Sequence, residues 1–298
     1  MGSFHTEGAW IVGDWKTVRE NVSMGVAKYS PEYSLARILL AMHDGELSQL
    51  PMLLHDARQQ LGMPIIAAGR DGYRRAYDSS IHLHMVHELE IISRAITHIS
   101  HLVNSNSNVA ATEAAAKLTS SLEGRLEVTM PTFKSREPLL SLRRSAIGTA
   151  SANQRWSQFE VGTLWLSSAK TARKAGHFQT AYSASLQADQ LETPFSFIQS
   201  AKLIRANGEN ERALRELDAG IKYKIPNIMN EILAQGDKNN TIDLTFEEDP
   251  PHDDYRVKYK TLTAKCYLLK ARWCTEGDRF NFNEMERFFR DAIEEMKE

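Results

Sequence analysis

The chain has 298 residues, which is enough for one elongated array or for two small domains. Hydrophobic residues make up 42% of the chain and charged residues 25%, a composition typical of a protein that buries a sizeable core. The formal net charge is -2, so nothing in the overall charge favours binding to nucleic acid, and no direct nucleic-acid partner is predicted.

The first hundred residues carry helical rather than strand patterns. The start of the chain, Met1 to Ala9, is polar and small, so no signal peptide is predicted. Two apolar stripes follow with the spacing of one helix face: Leu35, Ile38, Leu39 and Met42, then Ile81, Met85, Leu89, Ile92 and Ile96. The longest apolar stretch, around Leu35 to Met42, is too short to cross a bilayer. Helical repeats are therefore predicted over residues 1–103, and no membrane partner is predicted.

A group of histidines in this part of the chain suggests a metal site as one hypothesis. The group consists of His82, His84, His87, His98 and His101. His84, His87 and Glu88 occupy adjacent helical positions and could hold a metal ion. However, the run HLHMVHELE lacks the HExxH order, and each of these side chains interrupts an amphipathic helix. We therefore favour partly buried histidines between helices, and predict neither a metal nor a cofactor.

Composition divides the rest of the chain. Residues 104–121 are small and polar and are predicted to be a linker, with an Ala-rich middle that could be transiently helical. Residues 235–255 hold paired prolines within dense acidic charge and are predicted to be an acidic loop. Central repeats are predicted over 122–234 and a truncated C-terminal repeat over 256–298. In the central part, Arg136, Arg143 and Arg144 alternate with leucines, which predicts a helix with a charged face available to a partner.

An internal repeat with an offset of 32 residues is the most informative feature of the sequence. The equivalent pairs are Trp165 and Phe197, Ala169 and Ala201, Arg173 and Arg205, Gly176 and Gly208, and Ala181 and Ala213. Each unit is predicted to be a helix, a glycine turn and a second helix. A glycine can adopt the left-handed C-cap conformation at little cost, and small residues allow paired helices to approach closely. The large aromatic residue is expected to fill the gap toward the next hairpin.

The same pattern recurs elsewhere, so the predicted fold is all-α, an α-solenoid of tetratricopeptide-like hairpins. Gly13 and Gly45 are also 32 residues apart, and a looser copy surrounds Gly277. Cys266 and Cys274, in the last unit, are eight residues apart, which fits neither a disulfide framework nor a zinc knuckle. They are predicted to be reduced, buried thiols of an intracellular protein.

No catalytic constellation is predicted. The run that begins GDR at Gly277 matches the catalytic loop of phosphatidylinositol-3-kinase-related kinases, with Asp278 and Asn283 in the corresponding places. Phe280 replaces the histidine of that loop, however, and no Asp-Phe motif follows before Glu298. Nor is a glycine-rich loop or a phosphate-binding lysine visible upstream. A hairpin turn is therefore the favoured interpretation of Gly277.

Several segments of the sequence resemble, in the same order, the FAT region of ATR-type checkpoint kinases. They are SQLPMLLHDAR (48–58), LHMVHELE (83–90), SREPLLSLRRSAIG (135–148) and LWLSSAKTARKAGHFQTAYSASLQA (164–188). The resemblance implies an α-solenoid that supports and regulates a C-terminal kinase domain, in the nucleus, in a serine/threonine kinase of the DNA-damage checkpoint. It also implies contacts with that kinase domain, with neighbouring repeats, with a regulatory subunit and with a second copy of the protein in a homodimer.

Two other functions stay open from the residues alone, and two expectations concern the origin of the chain. A free-standing adaptor would bind a peptide in a concave groove through repeated basic residues such as Arg173 and Arg205. A helical metalloenzyme would use the histidine cluster. The helical character of the last residues predicts a chain cut from a longer protein, and a fungal source is expected.

Overall fold

The computed structural model describes residues 2–68, 72–105, 107–150, 155–227 and 252–276, with a few isolated positions beyond residue 282. All regular elements in these ranges are helical, without a strand, so the predicted all-α class is confirmed. The helices are α1 (Gly2–Val12), α2 (Trp15–Ser23), α3 (Pro31–His43), α4 (Leu50–Ala68), α5 (Tyr73–Asn104), α6 (Asn108–Glu127), α7 (Phe133–Gly148), α8 (Arg155–Lys174), α9 (Phe178–Gln190), α10 (Ser196–Ala206), α11 (Asn210–Ala219) and α12 (His252–Glu276). A short 3-10 turn, Leu47–Gln49, precedes α4, and a π-helical turn, Gly220–Lys224, follows α11.

The chain forms two compact units, Met1–Thr171 and Ala172–Glu298. The first has a leucine-rich core to which α3, α4, α5 and α7 all contribute, with Leu39, Leu89 and Leu140 fully buried. The core of the second unit is built around Phe197, which clusters with Cys266 and other apolar residues of α10, α11 and α12. Both cysteines are free and buried, as predicted. Burial raises the pKa of the Cys266 thiol to about 12, so this thiol is inert at neutral pH.

Among the described residues, five glycines end a helix in the same way, and all but Gly25 lie in a short turn between consecutive helices. Gly13, Gly45, Gly176 and Gly208 have φ angles of +80°, +75°, +82° and +89°. In each turn, the amide after the glycine donates to the carbonyl five residues before it; the accepting residues are Ala9, Ala41, Ala172 and Ile204, at 2.9, 2.9, 2.9 and 3.3 Å. This bond defines a Schellman motif, which ends a helix and satisfies one of its last carbonyls. The turns therefore share hydrogen bonds as well as spacing, while Gly277 lies outside the described residues.

The left-handed turn predicts opposite effects for two otherwise similar substitutions. A Cβ at Gly176 or at Gly124 of α6 would meet no atom within 4 Å, so the two sites differ in backbone conformation rather than in space. We expect Gly176→Ala to lower the free energy of unfolding by about 1 kcal/mol, because alanine is strained at positive φ. Gly124→Ala should raise it by about 0.5–1 kcal/mol, because Gly124 lies within a regular helix. Urea midpoints of both variants test this, and a stabilised Gly176→Ala would contradict the turn.

Helix α6 corrects the linker predicted at residues 104–121. It begins at Asn108 and continues to Glu127. Its buried residues, Ala111, Ala115, Leu118 and Leu122, form a stripe with helical spacing, and the two alanines pack against Ile99 of α5. The many serines, threonines and asparagines of the segment suggest a loop, but Thr112 and Ser120 lie on the exposed side of a helix with an apolar stripe. The predicted acidic loop, 235–255, lies mainly outside the described residues, and α12 already begins at His252.

Candidate functional site: a buried charge cluster

A carboxylate and a guanidinium are buried together where α5 packs on α7. The carboxylate of Glu88 in α5 accepts two hydrogen bonds from Arg143 in α7, at 2.8 Å from Nε and 2.5 Å from Nη2. The two side chains are 0% and 2% exposed, respectively. Nε2 of His84, one helical turn before Glu88, lies 2.9 Å from the same carboxylate, and Nε of Arg125 in α6 lies 3.6 Å from it. One carboxylate therefore connects three helices.

The electrostatic surroundings keep Glu88 ionised. Burial raises the pKa of its carboxyl group, but the hydrogen bonds from Arg143 and His84 act in the opposite direction and outweigh it, so the pKa lies below its usual value. A bidentate pair between arginine and a carboxylate is among the strongest hydrogen-bonded arrangements in proteins. Such a pair also fixes geometry, because both donors of the planar guanidinium must meet the carboxylate at once.

Glu90, two residues after Glu88, joins α5 to a different helix. It pairs with Arg58 of α4 and with Arg94 of its own helix, the latter at 2.5 Å, and His87 lies 3.5 Å away. Helical positions two residues apart point about 200° apart around the axis. The two glutamates of one short segment therefore bind helices on opposite sides of α5.

Arg144 extends the cluster from α7 to α8. Its guanidinium lies 3.8 Å from the centre of the Trp165 ring, and it donates hydrogen bonds to Ser168 in α8 and, at 2.8 Å, to Glu137 in α7. Burial lowers the pKa of Arg144, while Glu137 raises it in part. Stacking on an aromatic face and a paired carboxylate together compensate a guanidinium for its lost hydration.

The sequence-based interpretation of Arg143 and Arg144 as a charged face for a partner is therefore wrong. Both side chains point into the protein, with 1% and 7% of their surface exposed. The pattern predicted the helix correctly. However, an arginine at a position of the helical pattern can be assigned to the protein interior only when its acidic partner is known. The signal that was missed is Glu88, which lies between apolar residues of the α5 stripe.

The structure places the repeat positions of the sequence analysis as follows. Ala169, Ala181, Phe197, Ala201 and Ala213 are buried, and Trp165 is half-buried beneath Arg144. The equivalent arginines differ from each other. Arg205 lies 4.7 Å over the ring of Trp273 and pairs with Glu276, whereas burial lowers the pKa of Arg173. A repeated pair of free basic residues, which a peptide-binding adaptor would use, is thus not formed.

The histidine group has no metal-binding geometry in the part of the chain that the structure describes. No set of three His, Cys, Asp or Glu side chains is placed there to hold a metal ion. Both oxygens of Glu88 accept hydrogen bonds from Arg143, which would repel a cation, and His87 lies beside Glu90 instead. The GDR run, 277–282, lies outside the described residues. Within them, none of the helices combines the length and apolarity that a membrane span requires.

Helical hairpins with glycine turns, held together by interhelical ion pairs, define this chain as an all-α helical-repeat protein. The family model described as FAT domain matches residues 2–298, and the chain belongs to the FAT domain family. The chain is 27% identical over 277 residues to the "Serine/threonine-protein kinase ATR" of Arabidopsis thaliana, which covers 90% of this chain and 10% of that protein. It is 28% identical over 292 residues to the ATR of Oryza sativa subsp. japonica, and these residues cover 95% of this chain and 10% of that protein.

A fission-yeast protein gives a weaker match, and the share of each relative that is matched is small. "Protein kinase rad3" of Schizosaccharomyces pombe is 24% identical over 233 residues, which cover 76% of this chain and 8% of that protein. The chain thus spans about a tenth of the length of the curated relatives it matches. The resemblance stated from the motifs is confirmed at the level of the family, while a fungal source stays a prediction.

The segments that carried the resemblance meet in the charge cluster. Arg58 ends the first segment, and Glu88 and Glu90 lie in the second. Arg143 and Arg144 lie in the third, whose partner Ser168 belongs to the fourth. The motif residues thus hold one another in place.

Proposed function

We propose that the chain is a non-catalytic helical scaffold within an ATR-type serine/threonine kinase, where it supports and regulates the kinase domain in the DNA-damage checkpoint. The observation that carries this proposal is the charge cluster between α4, α5, α7 and α8. Its charges are paired, and Glu88 and Arg143 at its centre are buried, which suits the cluster to fixing helix positions rather than to proton transfer or nucleophilic attack. The family match and the ATR-type relatives also support the proposal that the chain is part of such a kinase.

The partners follow from the same proposal. We infer contacts with the kinase domain of the same protein, with neighbouring helical repeats and with a regulatory subunit, and a homodimer contact as a further partner. Nuclear action is inferred from the named relatives, which are ATR and Rad3 kinases. The peptide-binding adaptor has less support, because Arg205 is already engaged by Trp273 and Glu276.

A phosphotransfer assay tests the non-catalytic part of the proposal. The purified 298-residue chain is incubated with radiolabelled ATP, magnesium and a Ser/Thr-Gln peptide, beside a blank and an active kinase as positive control. We expect incorporation equal to the blank, because phosphoryl transfer needs a phosphate-binding lysine and a metal-binding aspartate after the catalytic loop. Incorporation that exceeds the blank and disappears with Asp278→Ala would show that the GDR run is catalytic.

A further inference from the structure

Helix α9 of the second unit exposes a ridge of large apolar side chains. Phe178, Tyr182 and Leu186 are 41%, 60% and 45% exposed and follow one another at intervals of four residues. Side chains at this interval form a single ridge along a helix. The buried residues of α9 lie on a different side of it and are Ala181, Ala184, Ser185 and Ala188. The ridge therefore stays open to solvent among the residues that the structure describes.

The surface of α9 differs from that of its counterpart in the next repeat. Helix α11 corresponds to α9 at the offset of 32 residues, and both helices bury the equivalent alanines, Ala181 and Ala213. Over ten residues, α11 carries five charged side chains: Glu211, Arg212, Arg215, Glu216 and Asp218. From Phe178 to Ala188, α9 carries none. Depletion of charge together with exposed aromatic residues distinguishes the centre of a protein interface from ordinary solvated surface.

The dimensions of the ridge match one helix of a partner. Three residues at intervals of four span about 12 Å along the axis, a little more than two helical turns. A stable complex between two folded proteins needs about 800 Å² from each partner, contributed by about 20–30 residues. A ridge of three side chains is too small for that, but an amphipathic helix can lay its apolar face against it. Continuing repeats are an unsuitable occupant as well, because α9 lies within the array and repeats stack on their neighbours along the chain.

The charges at the two ends of the ridge define the chemistry of the partner. The last turn of α8, which a glycine turn joins to the start of α9, carries Arg173 and Lys174. Lys174 is exposed, and Nε of Arg173 is buried without a hydrogen-bond partner among the described residues. Near the C-terminal end of α9, Asp189 is paired with Lys224 at 3.4 Å, and Glu192 is exposed. A bound helix is therefore best matched by carboxylates at the end that lies over the start of α9.

We propose that the ridge of α9 binds an amphipathic helix of a separate polypeptide, which has an apolar face and carboxylates at the end next to Lys174. The apolar face packs on Phe178, Tyr182 and Leu186, and the carboxylates pair with the lysine. A helix with basic residues at that end is repelled. The inference rests on α9 itself and goes beyond the proposed function.

Fluorescence anisotropy of a labelled peptide, titrated with the full 298-residue chain, tests the charge part of the proposal. The acidic peptide is fluorescein-Glu-Glu-Leu-Ala-Gln-Leu-Leu-Ala-Gln-Leu-Leu-Gln-amide, and the basic peptide has lysine in place of both glutamates. We expect saturable binding of the acidic peptide, with a dissociation constant on the order of 100 μM, and about fivefold weaker binding of the basic peptide. Lys174→Glu should weaken the acidic peptide and strengthen the basic one. Lys117→Glu, at an exposed lysine of α6, is the matched control and should change neither.

Two substitutions on the ridge test the apolar part. Tyr182→Gln and Leu186→Gln should each weaken the acidic peptide about tenfold, because an apolar contact is lost from the complex. Both side chains are exposed, so the fold should be retained, which circular dichroism checks. Ile66→Gln, at a position of α4 that is 78% exposed, is the matched control and should bind as wild type. Equal affinity for the two peptides, wild-type affinity of both ridge variants, or no binding would overturn the proposal.

Two further measurements distinguish other occupants of the ridge. Sedimentation of the chain alone should show a monomer, and a dimer that Leu186→Gln abolishes would assign the ridge to a second copy instead. The full-length kinase proposed as the parent should bind the acidic peptide as the chain does. Loss of binding there would show that the parent covers the ridge itself, and would overturn the assignment to a separate polypeptide.

Discussion

Replacing Arg143 by methionine is expected to lower the free energy of unfolding of the first unit by about 3–5 kcal/mol. The reason is that Glu88 would remain buried, with 0% of its side chain exposed, after losing both hydrogen bonds from the guanidinium. His84 and Arg125 are near enough to compensate in part, but neither offers the bidentate geometry. Urea unfolding followed by circular dichroism measures the effect.

The double variant distinguishes a buried charge from lost packing. We expect Glu88→Met combined with Arg143→Met to recover most of the stability that either substitution removes alone, because a buried pair exchanged for apolar residues of similar size is often neutral. Arg94→Met is the matched surface control, since Arg94 is 77% exposed where it pairs with Glu90. It should cost about 0–1 kcal/mol. Additive losses in the double variant would show that the pair does not couple α5 to α7.

Lowering the pH should weaken the pair of Glu88 and Arg143 without a large structural change. Burial raises the pKa of Glu88, but Arg143 and His84 lower it further, so the folded value lies below the unfolded one. The stabilisation is then fully present above the unfolded pKa, which is about 4.3 for glutamate, and is lost as the pH falls through the lower, folded value. The stability of the wild type relative to the double methionine variant should therefore decrease below about pH 4.

Gly220→Ala is expected to destabilise the second unit by about 1–3 kcal/mol or more. A Cβ at Gly220 would overlap the ring of Phe197, whose Cδ2, Cε2 and Cγ atoms are its nearest neighbours. The ring is only 1% exposed and lies within the core of the unit beside Leu217, so it has little room to move away. A urea unfolding transition of the second unit would report the loss.

A smaller partner should relieve the clash. In a Phe197→Leu background, which is itself destabilised, the added cost of Gly220→Ala should fall clearly below its cost in the wild type, since the two sites are in direct contact. Gly124→Ala is the matched helical control, because its Cβ meets no atom within 4 Å. If Gly220→Ala unfolded at the wild-type midpoint, the close contact between the turn and the ring would be refuted.

The glycine turns were predictable from sequence because they depend on local chemistry. Gly176 and Gly208 lie at equivalent places in two copies of one pattern, and a left-handed C-cap needs no information beyond the turn itself. Helix α6 was not predictable from sequence, because it depends on packing against another helix rather than on local chemistry. Its serines and threonines suggest a loop, while the burial of Ala111 and Ala115 depends on an apolar surface supplied by α5. Short apolar side chains show too little hydrophobic contrast to reveal such a stripe.

The charge cluster is even harder to predict from one sequence than helix α6. Glu88 and Arg143 are 55 residues apart, and neither position alone indicates that its charge is inside. A charged residue is rarely buried unless it is paired, and the sequence does not show which residue is the partner. The contact of Gly220 with Phe197 is similar: the offset of 32 residues marks Phe197 as a gap-filling residue but says nothing of the glycine it meets.

The most direct test of the scaffold proposal is the activity of the full-length kinase that we propose as the parent. It is assayed with and without Arg143→Met, and kcat and the KM for ATP are measured together with the unfolding midpoint of the isolated chain. The proposal predicts a changed kcat or a changed response to regulation, an unchanged KM for ATP, and recovery in the Glu88→Met/Arg143→Met double variant. Wild-type kcat and regulation in a single variant whose isolated chain unfolds would contradict it.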